Sequence, residues 1–550
     1  MRFARSWNVS AWLPPLLVLV ALSGLSIGAV YWSDRQGWLL YHNDAVAHTN
    51  IARRIVDTRI ETLQQIGTVW LPLPHLLMVP LVKDDSLWRS GLAGSIPSAG
   101  AFLMAGLFLF LGMRRYSGSL AVAAAAVALF ALNPNLLYLQ SVAMTESLFF
   151  ALLALLFWLL VMFHEEPSPW TAAAAGLAAF AATWTRYEGW FLLPFVALAL
   201  LATGGRRRWS ATVVFCAIAA IGPAVWLFYN WWYWGNWLEF YNGPYSAMAI
   251  YQRQLIAGMA RYPGDGNWTL SAKYFLAAVK LNLGIVLTIA GLPGLAAVLL
   301  RRRWLLLLLL LPPVFYVISM HSSGTPIFVP ELWPFSRYNT RYGLSALPLL
   351  SVAAACLITF LPRKLQAAGA LVLVAAAVTP WLVNRNPESW ICWQEAERNS
   401  KVRREWTKQA ADYLKPRYRL GSGIFTNFGD LTGIYQQAGI PLRETLYDVD
   451  ELEWLATHAR PDLFLKEEWA VAISGDNVAT TLLRSARIGP KYECVHRIMV
   501  GGGPVIEIYR RSSTYPFYES ARSEKRLSAD VGAGGPAARP AGDREKDLRP

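Results

Sequence analysis

The sequence predicts an α-helical polytopic membrane protein with a soluble α/β domain at its C-terminal end. Three observations carry this. The 550 residues are 55% hydrophobic and 16% charged, with mean hydropathy +0.32, too apolar for a soluble globule of this length. Many runs approach the roughly 20 apolar residues that cross a hydrocarbon core of about 30 Å. Beyond residue 385 the composition changes sharply, and short apolar segments alternate with amphipathic ones.

Reading along the chain places eleven spans near 12–31, 96–112, 119–138, 147–163, 170–184, 189–203, 210–229, 273–299, 304–320, 344–361 and 366–383. With the N-terminus cytoplasmic, the inside segments hold Arg2, Arg5, Arg114, Arg115, Arg206, Arg207, Arg208, Arg301, Arg302, Arg303, Arg363 and Lys364 against only Glu165 and Glu166. That asymmetry satisfies the positive-inside rule and predicts an integral membrane protein whose C-terminal domain is extracytoplasmic. The apolar stretch behind Arg2 and Arg5 is long for a signal peptide and reads as a retained anchor. The formal charge of +14 is largely that of short loops facing anionic headgroups, which argues against a nucleic-acid partner.

The long segments fall outside: loops 32–95, 230–272 and 321–343 within a membrane domain 1–385, then an extracytoplasmic domain 386–512 and a disordered tail 513–550. In the first loop, 44–60 reads as a polar helix whose Asp44, His48, Arg53, Arg54 and Asp57 face water or ligand. The proline-broken stretch 68–80 reads as interfacial. Domain 386–512 reads as helix 400–414, strand 422–427, helix 429–438, strand 443–448, helix 450–458, strand 462–466, helix 476–487 and strands 492–499 and 504–510, a largely parallel sheet. Cys392 and Cys494 both fall outside, where a disulfide can form.

Four polar constellations share the outer face: Asp44 with His48; Met144-Thr-Glu-Ser147; Thr185-Arg-Tyr-Glu-Gly189; and Ser336-Arg-Tyr-Asn-Thr-Arg-Tyr342. A carboxylate beside a hydroxyl can accept its proton. Arginine matches phosphate oxygens with a fixed fork of donors and stays charged in a poorly hydrated site. Acid and arginine together at a lipid surface point to a lipid-linked phosphate as leaving group, and the Trp- and Tyr-rich loop 230–245 to sugar stacking or interfacial anchoring. Each group also has a purely structural reading: Asp44 as a helix cap, Glu146 as a solvated turn residue, Arg186 paired with Glu188, Arg337 and Arg341 snorkelling, and His48 hydrogen-bonded within the fold.

At these residues the chain resembles the GT-C glycosyltransferases of the group that contains the protein O-mannosyltransferases and the bacterial lipid A aminoarabinose transferase. The resemblance rests on Asp44 in the first outside loop, Asn133-Pro134 followed by Met144-Thr-Glu-Ser147, Thr185-Arg-Tyr-Glu-Gly189, and Arg341-Tyr342 leading to Leu347-Pro348. It implies Asp44 as catalytic base, Glu146 as a second acid or metal contact, and Arg341 on the donor's phosphate, with Arg337, Tyr342, Arg186, Glu188 and His48 as further substrate contacts. It also implies a polyprenyl-phosphate sugar donor and a lipid, glycan or protein acceptor. The expected location, in keeping with the resemblance, is the bacterial inner membrane. A divalent cation held by Asp44, Glu146 and His48 is the one cofactor left open. Asp44 is followed by Ala45 rather than by a second acid, which weakens the case for a protein acceptor, and Trp231-Trp232 is followed by Tyr233 rather than Asp, which argues against oligosaccharide transfer to asparagine. The competing class is a transporter or flippase of lipid-linked saccharide, which would need polar residues along its spans; these spans are nearly free of charge.

Overall fold

The computed structural model describes residues 9–301, 304–322 and 324–512. The predicted tail 513–550 and the cations Arg2, Arg5, Arg302 and Arg303 lie outside the described residues. Each of the eleven predicted spans coincides with a helix, a 3-10 and α run, or a bent helix pair. Seven helices among the described residues are long and apolar enough to cross a membrane, and up to nine if each bent pair counts as one span. The protein is an integral membrane protein. The count departs from eleven for physical reasons. Pro169–Thr183 and Glu188–Thr203 have 15 and 16 residues, and at about 1.5 Å per residue neither matches the hydrocarbon thickness alone. The segment predicted as one span at 273–299 is two helices, Trp268–Leu283 and Ile285–Leu300, bent by 116° at Gly284. Gly284 sits at φ +76°, a conformation that L side chains rarely adopt. Leu120–Ala131 and Pro134–Gln140 bend by 68° where Asn133 caps the second helix and Pro134 lacks a backbone donor.

The two breaks are tied together by amides. The backbone oxygen of Asn282 accepts from Asn133 Nδ2 at 2.8 Å and Asn135 Nδ2 at 3.0 Å, while Asn282 Nδ2 donates to the Thr340 carbonyl at 2.6 Å. All four residues are buried, where an unpaired amide would cost most.

The polar helix of the first loop runs Asn43–Arg54, shorter than 44–60, and ends in turns. His48, Arg53, Arg54 and Asp57 are buried rather than facing water: His75 and Trp70 cover His48, Trp88 covers Arg53, and the C-terminal domain packs on Arg54 through Phe428 and on Asp57 through Leu442. Asp57 accepts from Arg53 Nε at 2.7 Å and from the Leu442 amide at 2.9 Å. The stretch 68–80 gives a 10-residue helix, Leu73–Val82. Around 230–245, Trp231, Trp232, Trp237, Tyr241 and Tyr245 are exposed.

The C-terminal region opens with a long helix, Ile391–Leu414. It is followed by five strands, β1 (Ile424–Thr426), β2 (Thr445–Leu446), β3 (Trp469–Ile473), β4 (Tyr492–Met499) and β5 (Val505–Arg511). Their order is β2-β1-β3-β5-β4, parallel across the first three and antiparallel across the last two pairings, so the sheet is mixed rather than largely parallel. The strand predicted at 462–466 is instead a short helix, Pro461–Phe464, and the central strand is Trp469–Ile473. Proline at the first helical position favours the former, and the buried apolar run Trp-Ala-Val-Ala-Ile suits a central strand. Cys392 and Cys494 do not pair: Cys392 is buried with its Sγ 3.1 Å from Asn282 Oδ1, and Cys494 is exposed on β4.

Two motif glycines permit close backbone approach. A Cβ on Gly189 would strike the Ala182 carbonyl, and one on Gly343 would lie 2.6 Å from the Ala278 carbonyl. Overpacking of this kind costs about 1–3 kcal/mol. Gly343→Ala should therefore lower stability by that amount in denaturant unfolding of the detergent-solubilised protein. Gly100→Ala, in a helix with nothing within 4 Å, should leave stability unchanged or raise it by up to about 1 kcal/mol.

Candidate active site

Helix ends bring the polar residues together. Glu146 begins the helix Glu146–Glu165, Glu188 begins Glu188–Thr203, and Arg341 lies in the 3-10 turn Thr340–Ala346 that leads into Leu347–Cys356. Asp44 stands in the first turn of Asn43–Arg54. These residues are scattered along the sequence yet meet at one cluster.

Arg341, 6% exposed, is its centre. Its Nη2 is 2.5 Å from Asp44 Oδ2, its Nε 3.2 Å from Glu146 Oε1, and its Nη1 3.5 Å from Glu395 Oε1 and 3.3 Å from His42 Nε2. Arg186 donates from Nη1 to the same Glu146 oxygen at 3.2 Å and from Nε to Glu188 Oε1 at 2.8 Å, and its other contacts are the hydroxyls of Thr145 and Tyr316. Tyr316 also donates to Glu188. The ring of Tyr342 lies 4.8 Å from the Arg341 guanidinium and 5.4 Å from that of Arg186, stacked on Tyr316 at 4.5 Å. Two guanidiniums thus serve four carboxylates.

The carboxylates are not equivalent. Glu146, Glu188 and Glu395 have side chains 4–6% exposed, whereas that of Asp44 is 31% exposed. Glu395 is fixed by the amides of Asn339 and Thr340, each at 2.8 Å, and by the Thr340 hydroxyl. Asp44 has one charged partner, Arg341. Burial pushes its carboxyl pKa up, but Arg341 first, then His42, His48 and Arg186, outweigh that and hold it below the usual aspartate value. Glu146 uses Oε1 for both arginines, and its Oε2 is buried with no hydrogen-bond partner.

Two candidates lie apart from the cluster. Arg337 is directed at Gln394, with its Nε 2.6 Å from Oε1. His48 turns to His75, with 2.8 Å between ring nitrogens, and its ring lies tilted by 33° against Trp70, centroids 4.4 Å apart. Among the described residues no group of three or more His, Cys, Asp or Glu side chains is placed to share a metal ion; Asp44 and Glu146 share Arg341 instead. Sequence reasoning missed Glu395, His42 and Tyr316 as members of the site, and named Thr145 only within the Met144-Thr-Glu-Ser147 constellation, without a role. Glu395 carries no local signal, since it lies in an amphipathic helix of ordinary composition.

The fold that holds this cluster is of the GT-C type. Two solved structures share it: ArnT from Cupriavidus metallidurans bound to undecaprenyl phosphate, at TM-score 0.53 and 13% identity over 88% of this chain and 97% of that one, and the same protein in the apo state, at TM-score 0.53 and 14% identity over 91% and 98%. No family model matches the sequence, and no curated protein matches it.

Two predictions follow from the geometry. Burial holds the His48 imidazole at about 4, against an ordinary 6.5, so the folded state prefers the neutral ring. This contribution is complete above pH 6.5 and is lost as the pH falls through about 4. Thermal unfolding should show the loss across that window, with a shallower dependence in His48→Gln. Glu395→Ala leaves Arg341 short of a buried partner and two amides unpaired, and should cost about 3–5 kcal/mol in unfolding free energy.

Proposed function

We propose that this protein is an integral membrane glycosyltransferase that moves a sugar from a polyprenyl-phosphate donor to an acceptor hydroxyl at the extracytoplasmic face, with inversion at the anomeric carbon. The observation that carries the reading is the meeting of Asp44, Glu146 and Arg341 at helix ends. It is supported by a fold shared with a protein solved with undecaprenyl phosphate bound and by the positive-inside pattern for the side of the membrane.

The lipid tail lies between spans and the phosphate competes with Asp44 for Arg341. Asp44 is the acid to yield, being the most exposed and having one charged partner, while Glu146 and Glu395 keep the guanidinium in place. Losing that partner raises the Asp44 pKa, so the residue becomes a better base as the donor arrives. Asp44 then takes the proton of the acceptor hydroxyl as its oxygen attacks the anomeric carbon, and the lipid phosphate leaves against Arg341. A single displacement needs no enzyme nucleophile. Glu146 and Glu188 position the two arginines, and Tyr342 covers both. No role in the reaction is assigned to Arg337 or His48, and no step requires a metal.

Asp44→Asn is nearly isosteric and should lower transfer of labelled sugar from a polyprenyl-phosphate donor about 10²- to 10⁴-fold, with donor binding retained. Transfer as fast as the parent would remove Asp44 as base. If the purified protein carries donor across a bilayer yet transfers nothing with or without the substitution, a flippase replaces the enzyme. Arg341 is a poorer test, because its removal strands buried carboxylates.

A further inference from the structure

A cavity of about 600 Å³, none of whose lining residues belongs to the Arg341 cluster, lies between the first-loop helices and the C-terminal domain. Its walls carry four cations, Arg89, Arg403, Arg404 and Lys408, and no acid. Three come from one helix, where Arg404 and Lys408, like Arg403 and Thr407, are four residues apart and so share a face. Arg404 has a partner at its edge, Glu397 at 3.6 Å, and lies over the Tyr41 ring at 3.6 Å.

Two details point to a ligand. Arg403 is 8% exposed, and its donors meet only neutral acceptors: Nε the Asn43 Oδ1 at 2.9 Å, and Nη2 the carbonyls of Leu40 and Tyr41 at 3.4 and 3.3 Å. No carboxylate forms an ion pair with it among the described residues. Thr407, 5% exposed, lines the same wall with its Oγ1 unpartnered. Both face a gap at Gly433, where an added Cβ would sit 3.8 Å from Arg403 Nη1 and 3.8 Å from Thr407 Oγ1. Asp430 and Asp44 act on Arg403 only from beyond ion-pair distance, and burial outweighs them; a buried guanidinium without a direct carboxylate partner is costly, and an anion reaching it would relieve that cost.

We infer that this cavity is an anion-binding site, taking a phosphate or carboxylate on a group the size of a sugar or a lipid headgroup. The volume suits a small molecule. Arg403 and Thr407 bind the anion at the base, and Arg404, Lys408 and Arg89 surround its entrance. The inference does not depend on transfer activity, since none of the lining residues belongs to the proposed reaction.

The test uses full-length protein in nanodiscs, with two probes that separate the sources of such an anion. Glucose 1-phosphate is titrated calorimetrically in phosphatidylcholine discs, with glucose as control. Retention of phosphatidylglycerol is measured separately by native mass spectrometry. At least one probe should bind saturably, with affinity falling as salt rises. Arg404→Ala combined with Lys408→Ala, both at the cavity entrance and outside the packed core, should weaken binding about tenfold or more. Gly433→Ala, which fills the gap at ordinary contact distances, should weaken it while leaving the unfolding temperature unchanged. Binding of glucose 1-phosphate alone identifies a soluble or glycan-borne anion, and retention of phosphatidylglycerol alone identifies a headgroup. The inference is overturned if neither probe binds, or if both sets of variants bind as the parent does. Asp44→Asn should bind normally, so failure here is separable from failure of the glycosyltransferase reading.

Discussion

Taking a guanidinium out of water costs several kcal/mol unless acids and hydrogen-bond acceptors surround it, and Arg341 meets that requirement with carboxylates from three distant parts of the chain. Asp44 comes from the first loop, Glu146 from the start of a span, and Glu395 from the helix that opens the C-terminal region. Each must be delivered to within a few ångströms, so the arrangement fixes how these elements sit. Glu395 contributes most, because the same carboxylate also takes the amides of Asn339 and Thr340. The amide knot at Asn282 holds Thr340 from the other side. Residue 341 is thereby clamped before its side chain makes any contact.

Four carboxylates around two arginines make a cluster that is anionic overall, so the proposed binding of a phosphate there requires an acid to give way. Exposure decides which. Three acids are nearly inaccessible and multiply bonded, and removing them from their partners would leave buried charge. Asp44, its side chain 31% exposed, is the one acid that can turn toward solvent while an incoming anion replaces it on Arg341. In the proposed reaction the same asymmetry would make Asp44 replaceable as a ligand of Arg341 and reachable by an acceptor, and both would follow from its place in the first turn of a short helix.

Helical membrane architecture was legible in the sequence because span length and charge asymmetry are strong, local signals. Asp44, Glu146, Arg186, Glu188 and Arg341 were legible as candidates because charge beside an apolar run stands out. What failed was information held by tertiary partners. The burial of Arg54 and Asp57 depends on a domain folded from residues almost 400 positions later, and that of Arg53 on Trp88, about 35 positions on. His75, which claims His48, belongs to a helix that read as an interfacial apolar stretch. The strand expected at 462–466 shows the limit of short apolar runs: Leu463 and Phe464 are exposed, and the central strand begins at Trp469. Gly284 gave no local sign of a 116° bend, since an isolated glycine in a span is ordinary and only its φ separates a hinge from a tolerated residue.

The first-loop helix also explains how the two polar sites can be close and remain distinct. Successive helical residues point about 100° apart, so Asn43 and Asp44 serve different neighbours. Asn43 Oδ1 accepts from Arg403, on the wall of the basic cavity, while Asp44 meets Arg341 in the anionic cluster. Arg403 also binds the carbonyls of Leu40 and Tyr41, immediately ahead of the helix. The C-terminal domain is thus fastened to the backbone that aims Asp44, and the two sites, of opposite charge, share that short segment as a wall.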